Sequence, residues 1–285
     1  MYVVTGITGQ VGGVVAQTLL SAGHEVRAVV RDAAKGDAWA RLGCDVAVAD
    51  MNDANSLAQA FSHAEAVFVL IPPTFDPQPG FPEVQKIADA LSTALREARP
   101  GRIVVLSTIG AQATQENLLS QLGMIEHALG SLPLPVTFLR AGWFMENTLW
   151  DIASAKEHGV IQSFLQPLDD LYPMVATADV GHLAAQLLTE RWSGTRVVEL
   201  VGPEWESPDT IALTLSRQLG RNVRAQAVPR EQWESLFRGQ GMNNPVPRMR
   251  MLDGFNEGWI CFEGTPRRGS TTLDEVLSGL IERAG

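Results

Sequence analysis

Three glycines, Gly6, Gly9 and Gly12, stand at a spacing of three directly after the apolar run Tyr2–Thr5, in the opening stretch MYVVTGITGQVGG. Glycine adopts backbone angles that side chains forbid and lets main chain approach a ligand closely. Where such a stretch joins a strand to a helix, each glycine has a task. The first permits the turn, the second lets backbone close on a pyrophosphate, and the third lets the helix pack against the sheet. Free N–H groups at the helix start then face the phosphates. A glycine-rich strand–helix turn with no ligand has the same spacing, so the pattern alone leaves both readings open. No Lys-Ser or Lys-Thr follows the last glycine, which excludes a nucleotide-triphosphate P-loop.

Other residues add to the chemistry. The second apolar run ends in Arg31 and Asp32, with Lys35 one turn further on. A dinucleotide pocket for NAD places an acid there for the ribose hydroxyls, whereas two cations suit a 2′-phosphate. Asp32 keeps NAD open, and a solvated surface charge is the other reading of Arg31. Trp143, Phe144, Trp150 and Phe164 would suit a flat conjugated molecule, and each is equally a candidate for ordinary core. Neither Tyr2 nor Tyr172 has a lysine four residues on, so a Tyr-x-x-x-Lys pair is missing. The five histidines are scattered without ligand spacing, which gives no metal site. His182 reads as a packing or surface residue. The segment 238–251, RGQGMNNPVPRMRM, reads as a solvated loop, with a mobile substrate-side lid as the alternative. The Pro-rich stretch 72–82 reads as a lid or as a stiff connection.

The elements that must position these residues alternate. Apolar runs at 2–5, 25–30, 44–50, 64–71 and 102–108 are strands, the later ones almost wholly apolar, as in a parallel sheet covered on both faces. Between them lie helical stretches: one with Val11, Val14, Val15 and Leu19 on one side and Gly23 at its end, one over 33–43, one begun by Asp53, and one over 83–98. The fold class is α/β, a Rossmann doubly wound parallel sheet with a smaller C-terminal α/β substrate region. A helix near 115–130 and a strand at 135–140 follow, and then 140–150 breaks the pattern. Residues 1–150 form the dinucleotide domain. Residues 151–285 form the smaller region, partly interwoven with the first, with a helix over 207–220 and a strand in 222–229.

Composition narrows the class. The 285 residues are 45% hydrophobic and carry a net charge of −10 without basic runs, a poor match to nucleic acid or an anionic membrane surface. No apolar run of membrane-spanning length is present, and Tyr2 and Val3 already belong to the first strand, which leaves no signal peptide. Cys44 and Cys261 lie far apart and read as free thiols. The expected location is the cytoplasm.

The stretches VTGITGQVGG, VRD, VADMND, VFVLIPP, VVLSTIGA and LRAGWFMEN occur here in the order found in the NmrA-like family of atypical short-chain dehydrogenases/reductases, and the chain resembles that family over about residues 2–220. The resemblance implies NADP as cofactor, with NADPH preferred over NADH. It implies a small aromatic or quinone-like substrate, in the manner of the type 2 quinone oxidoreductases and the azo and triphenylmethane dye reductases, and a monomer or homodimer. Carried over, Gly6, Thr8, Gly9, Gln10 and Val11 meet the pyrophosphate, and Arg31 and Lys35 the 2′-phosphate. Asp50 and Met51 lie by the adenine. Leu70, Ile71 and Pro72 follow the nicotinamide-side ribose, and Ser107 and Thr108 lie near the nicotinamide. Trp143, Phe144, Met145, Asn147 and Trp150 face the substrate.

One departure bears on mechanism. Many relatives keep a lysine four residues before a glutamate ahead of this Leu-Arg-x-Gly stretch. The glutamate is here as Glu126, but the earlier position is Leu122. Either hydride transfer goes to an acceptor that needs no protein acid, or the chain is a non-catalytic NADP-binding redox sensor. Epimerase or dehydratase chemistry is disfavoured, because it begins with an alcohol oxidation that wants a base.

Overall fold

A computed structural model describes residues 1–284. The first half alternates as β1 (Tyr2–Val4), α1 (Gln10–Ser21), β2 (Val26–Val30), α2 (Asp37–Arg41), β3 (Asp45–Val48), α3 (Ala54–Phe61), β4 (Ala66–Val69), α4 (Pro82–Ala98), β5 (Ile103–Thr108), α5 (Ser120–Gly130) and β6 (Val136–Ala141). Next come β7 (Trp143–Phe144), α6 (Leu149–His158), β8 (Val160–Ser163), β9 (Met174–Val175), α7 (Thr177–Thr189) and β10 (Thr195–Val201). The chain closes with α8 (Pro208–Leu219), β11 (Arg224–Ala227), α9 (Trp233–Gly239), α10 (Val246–Asn256), β12 (Arg267–Arg268) and α11 (Leu273–Arg283).

Eight strands pair in the order β3-β2-β1-β4-β5-β6-β10-β12, all parallel. The alternation of side chains along each strand divides two cores. Val3, Val29, Val67 and Val69 face one side, where Leu57 and Phe61 of α3, Leu91 and Leu95 of α4 and Ile125 of α5 cover them. Tyr2, Val4, Ala28, Val30 and Phe68 face the other, against Val11, Val15 and Leu19 of α1 and Leu183 and Leu187 of α7. Chain order reverses between β1 and β4, so the crevice of a doubly wound sheet opens at the carboxyl ends of these two strands.

The elements after residue 150 divide between two places. α7, β10 and β12 return to the large sheet, while α6, α8, α10 and α11 enclose a separate third core with the pair β8–β11. The segment 238–251 corrects the expectation of a solvated loop. It is the end of α9, a short turn and the first half of α10, whose opening prolines Pro245 and Pro247 sit where a helix tolerates a missing N–H. Its turn is tied to the Pro-rich stretch. The Asp76 carboxylate accepts from the backbone N–H of Asn243 (2.9 Å) and of Asn244 (2.7 Å) and from the Asn243 side chain (2.9 Å). These donors hold the Asp76 carboxyl below its usual range.

No helix among the described residues is long and apolar enough to cross a membrane, and no group of three or more His, Cys, Asp and Glu side chains is placed to hold a metal ion. Cys44 is buried and Cys261 exposed, both as free thiols.

α1 and α7 approach so closely that a Cβ built on Gly181 would lie 2.5 Å from Val14 Cβ and 3.0 Å from the Val11 carbonyl oxygen. Gly181→Ala is expected to push the helices apart and cost about 1–3 kcal/mol. Urea unfolding of the two proteins checks this, and equal midpoints would show that the pair has slack.

Candidate active site

The glycine turn is built from three different constraints. Gly6 has φ +62°, and a Cβ there would meet the Leu70 side chain at 2.9 Å. A Cβ on Gly12 would press into the Gly6 carbonyl oxygen and the Ile7 nitrogen, both of them backbone. These two glycines are required by the fold itself. Gly9 is less constrained: it is exposed, its φ is ordinary, and a Cβ there would meet only the Gly6 oxygen, at a tight 3.3 Å. Gly9 opens α1, whose first turn carries no side-chain cap and no acid, so the early amides stay available to an anion. Thr5 pins this turn to the next strand. Its Oγ1 accepts from the Leu70 N–H at 2.8 Å and lies 3.2 Å from the Phe68 and Leu70 carbonyls, to which the hydroxyl donates.

An open cleft of about 700 Å³ runs beside the turn, lined by Thr8, Gly9 and Gln10 on one side and by Lys35 and Trp39 on the other. Arg31, at the end of β2, and Lys35 are both exposed, and neither forms an ion pair among the described residues. Asp50, beyond β3, is exposed. Asn52 bonds hold its carboxyl below the usual range, with nearby cations including Arg31 adding to the effect. Met51 is buried in the first core, while Leu70, Ile71 and Pro72 leave β4 half-buried. Gly6 to Val11, Arg31, Lys35, Asp50 and Leu70 to Pro72 thus gather at the carboxyl ends of four adjacent strands.

At the far side of the switch point the chemistry differs. Ser107, near the end of β5, donates its hydroxyl to Glu126 Oε1 at 2.5 Å. Glu126 also holds Arg140 through two bonds of 2.9 and 2.7 Å, and Arg140 reaches Glu263 at 2.5 Å. Ser107, Arg140 and Glu199 are register neighbours across β5, β6 and β10. Glu199 in turn accepts from the N–H groups of Glu263 and Gly264, each at 2.8 Å. Burial works against the Arg140 charge, but the carboxylates of Glu126 and Glu263 outweigh it and raise its pKa further. The Ser107 proton is therefore committed to a carboxylate, and Leu122, one turn before Glu126, supplies no acid. Tyr172 offers no substitute. It is buried in the third core, donates to the Gln166 carbonyl at 2.9 Å, and burial followed by the nearby Asp170 pushes its pKa to about 12.

The aromatic stretch is dispersed. Trp143 packs edge-on against Phe255 of α10, with ring centroids 5.2 Å apart, and Phe144 packs instead against the sheet core. Asn147 is half-buried. Met145 corrects the expectation that it lines the substrate side, since it is fully enclosed in the third core. Trp150, on α6, is 67% exposed and stands apart from the others. Phe164 packs edge-on against Trp233 and at a tilt against Phe237. Thr108 is half-buried at the end of β5.

Sequence reasoning missed two features. Glu146 accepts from the Thr177 N–H at 2.9 Å and from its hydroxyl at 2.5 Å, and that hydroxyl lies 3.1 Å from Gln10 Oε1. The start of α7 is thereby tied to the residues that follow β7, beside Gln10 of the glycine turn. The buried Arg140 cluster was signalled only by one charge inside an otherwise apolar strand.

Comparison with known proteins gives a consistent picture. A profile of the NmrA-like family matches residues 2–254. An NAD(P)H azoreductase from Xenophilus azovorans is 29% identical over 244 residues, 85% of this chain and 82% of the azoreductase. Quinone oxidoreductase 2 from Escherichia coli is 27% identical over 255 residues, 87% of this chain and 85% of that protein. The crystal structure of the E. coli NADPH-dependent quinone oxidoreductase complexed with NADPH superposes with a TM-score of 0.82 at 25% identity, covering 98% of this chain and 99% of that one.

Asp151, in the first turn of α6, has its carboxyl pushed up to about 7 by burial. An ordinary Asp titrates near 3.9, so the folded state holds this proton more tightly than the unfolded chain does. Stability is then greatest at low pH and is lost as pH rises from about 4 to about 7. Asp151→Asn is expected to leave stability at pH 4 nearly unchanged and to raise it at pH 8 by about 1–3 kcal/mol. Denaturant unfolding at the two pH values measures the difference, and no gain at pH 8 refutes the assignment.

Proposed function

The chain belongs to the NmrA-like family, and from that premise we propose that it is an NADPH-dependent reductase of electron-poor conjugated acceptors, quinones or azo and related dyes. The observation that carries this reading is the open cradle at Gly9, where the fold leaves space that a ligand's phosphates fill. The uncapped amides of α1 and Lys35 border it, and Arg31 stands at the end of the neighbouring β2; neither cation forms an ion pair among the described residues, which suits a phosphorylated dinucleotide. The azoreductase and the quinone oxidoreductase support the reaction class by similarity.

When bound, the reduced nicotinamide supplies a hydride. The residues of this chain hold and exclude rather than donate. Arg31 and Lys35 take the 2′-phosphate, and Gly6 to Val11 take the pyrophosphate. Ser107 offers lone pairs near the ring and no proton, because Glu126 receives its hydrogen. Trp143 offers half-buried aromatic surface to a flat acceptor, whereas Phe144 backs onto the sheet core. The proton that completes reduction comes from water. This limits turnover to acceptors that take hydride without simultaneous protonation by a side chain, and it leaves simple alcohols unoxidised.

Titration of NADPH and NADH into wild type, Arg31→Ala and Gly9→Val tests the cofactor side. A charge-assisted bond to phosphate contributes roughly 1.5–3 kcal/mol, so wild type should prefer NADPH by roughly ten- to a hundredfold. Arg31→Ala should remove most of that preference, and Gly9→Val should lose both cofactors while staying folded. A preference that survives Arg31→Ala, or full affinity in Gly9→Val, sinks the assignment.

Turnover with a panel of quinones and azo dyes, read at the nicotinamide absorbance band, tests the reaction. Tyr172→Phe is expected to stay within a few-fold of wild type, whereas a loss of about a thousandfold would mark Tyr172 as a general acid. Tight NADPH binding without turnover of any acceptor would place the chain among non-catalytic NADP sensors.

A further inference from the structure

Among the described residues, the buried or half-buried arginines other than Arg248 are paired. Arg27, Arg102, Arg140 and Arg196 each meet a carboxylate at 2.6–2.9 Å, as does the exposed Arg230. In the segment 238–251, Arg238 pairs with Glu234 and Arg250 with Asp253. Arg248, between them on α10, forms no ion pair among the described residues. Its guanidinium lies over the face of the fully buried Phe237, 4.5 Å from the ring centroid, and its one side-chain partner is the Met242 sulfur at 3.8 Å. Nε and Nη2 have no hydrogen-bond partner among the described residues, and the side chain is half-buried. Partial burial works against the Arg248 charge and lowers its pKa. A guanidinium held over an aromatic face, partly stripped of water and without a carboxylate, is a site prepared for an anion that arrives from outside.

Its surroundings say where that anion sits. Arg248 and Phe255 are seven residues apart on α10, so they share one helix face, about 10 Å apart along the axis. Phe255 is the residue that meets Trp143, directly after the carboxyl end of β6. The neighbouring Pro247 carbonyl accepts from Leu118, in the connection after β5. Asn243 and Asn244, just before α10, are fastened to Asp76 in the connection after β4. Arg248 therefore stands on the cap that is tied to the connections after β4 and β5, on the same helix face as Phe255 of the aromatic pair.

We propose that Arg248 recognises an acidic substituent, a carboxylate or sulfonate, carried on the aromatic acceptor. The assignment rests on the reductase reading for the identity of that acceptor. A planar molecule with its ring at Trp143 and an oxyanion at Arg248 would be oriented along α10. Neutral quinones would bind without that anchor.

Arg248→Met keeps apolar bulk over Phe237 and removes the charge, and Arg248→Lys keeps the charge. Steady-state kinetics with 1,4-naphthoquinone and 1,4-naphthoquinone-2-sulfonate, at saturating NADPH, compare a neutral with an acidic acceptor. Arg248→Met should lose roughly ten- to a hundredfold in kcat/KM for the sulfonate, mostly through KM, and stay within about twofold for the neutral quinone. Arg248→Lys should recover part of the loss. Equal losses on both acceptors, or none, overturn the proposal in favour of a packing role. A second arm needs no turnover: calorimetric binding of 2-naphthalenesulfonate and 2-naphthalenesulfonamide to the NADP-loaded protein. Wild type should favour the sulfonate by about tenfold or more, and Arg248→Met should not. If neither quinone is reduced, the reductase reading fails, and this arm still decides. A sulfonate preference that disappears in Arg248→Met upholds the anion site, and its absence in wild type overturns it.

Discussion

A guanidinium in the middle of a parallel sheet cannot be left alone, and the arrangement around Arg140 follows from that constraint. Its side chain is 6% exposed, and removing one partner of a buried ion pair costs about 3–5 kcal/mol because the other charge stays behind. Glu126 reaches it from α5 and Glu263 from the segment that leads into β12, so the pair fixes both a helix and a distant length of chain against β6. Ser107 completes the cluster by donating a hydrogen bond to Glu126. What stabilises this part of the fold also takes away a hydroxyl that would otherwise be free to donate. The site inherits a strand end rich in acceptors and short of protons.

The opposite half of the crevice is governed by backbone rather than charge. Gly6 and Gly12 are held in place by contacts within the protein, since either side chain would collide with Leu70 or with main chain. Gly9 is bounded on one side only. The same short turn thus contains glycines that the chain needs for itself and one whose freedom is left to a ligand. Glu146 and Thr177 extend this order inward. By bonding each other they join α7 to the residues that follow β7, beside Gln10 of the turn.

Features decided locally were legible in the sequence. Asp53 caps α3, Ser207 caps α8 through a reciprocal box with Thr210, and Gly220 ends α8 with φ +63°, because each depends on residues within one turn. The alternation of strand and helix carried the parallel sheet for the same reason. Features decided by tertiary packing were hidden. The prolines of 245–247 read as loop punctuation, yet they open a helix, and the aromatic run 143–150 divides between two cores and the surface. Nothing in the order of residues tells that Asp151 will be desolvated or that Arg248 will lack a carboxylate. Both depend on which groups other helices bring near. The return of α7 and β10 to the large sheet is likewise a matter of crossover geometry, which residue pattern does not carry.

Asp76 gathers three donors from Asn243 and Asn244, and with the bonds from Asn244 to the Pro77 carbonyl and from the Leu118 N–H to the Pro247 carbonyl it fastens the cap to the rim of the sheet. Water competes for each of the Asp76 bonds, and a fastening of this kind spends part of its time undone. Local opening begins where hydrogen bonds face solvent with few apolar contacts behind them. The rim of the crevice is therefore where this fold would loosen first, ahead of the three cores beneath it.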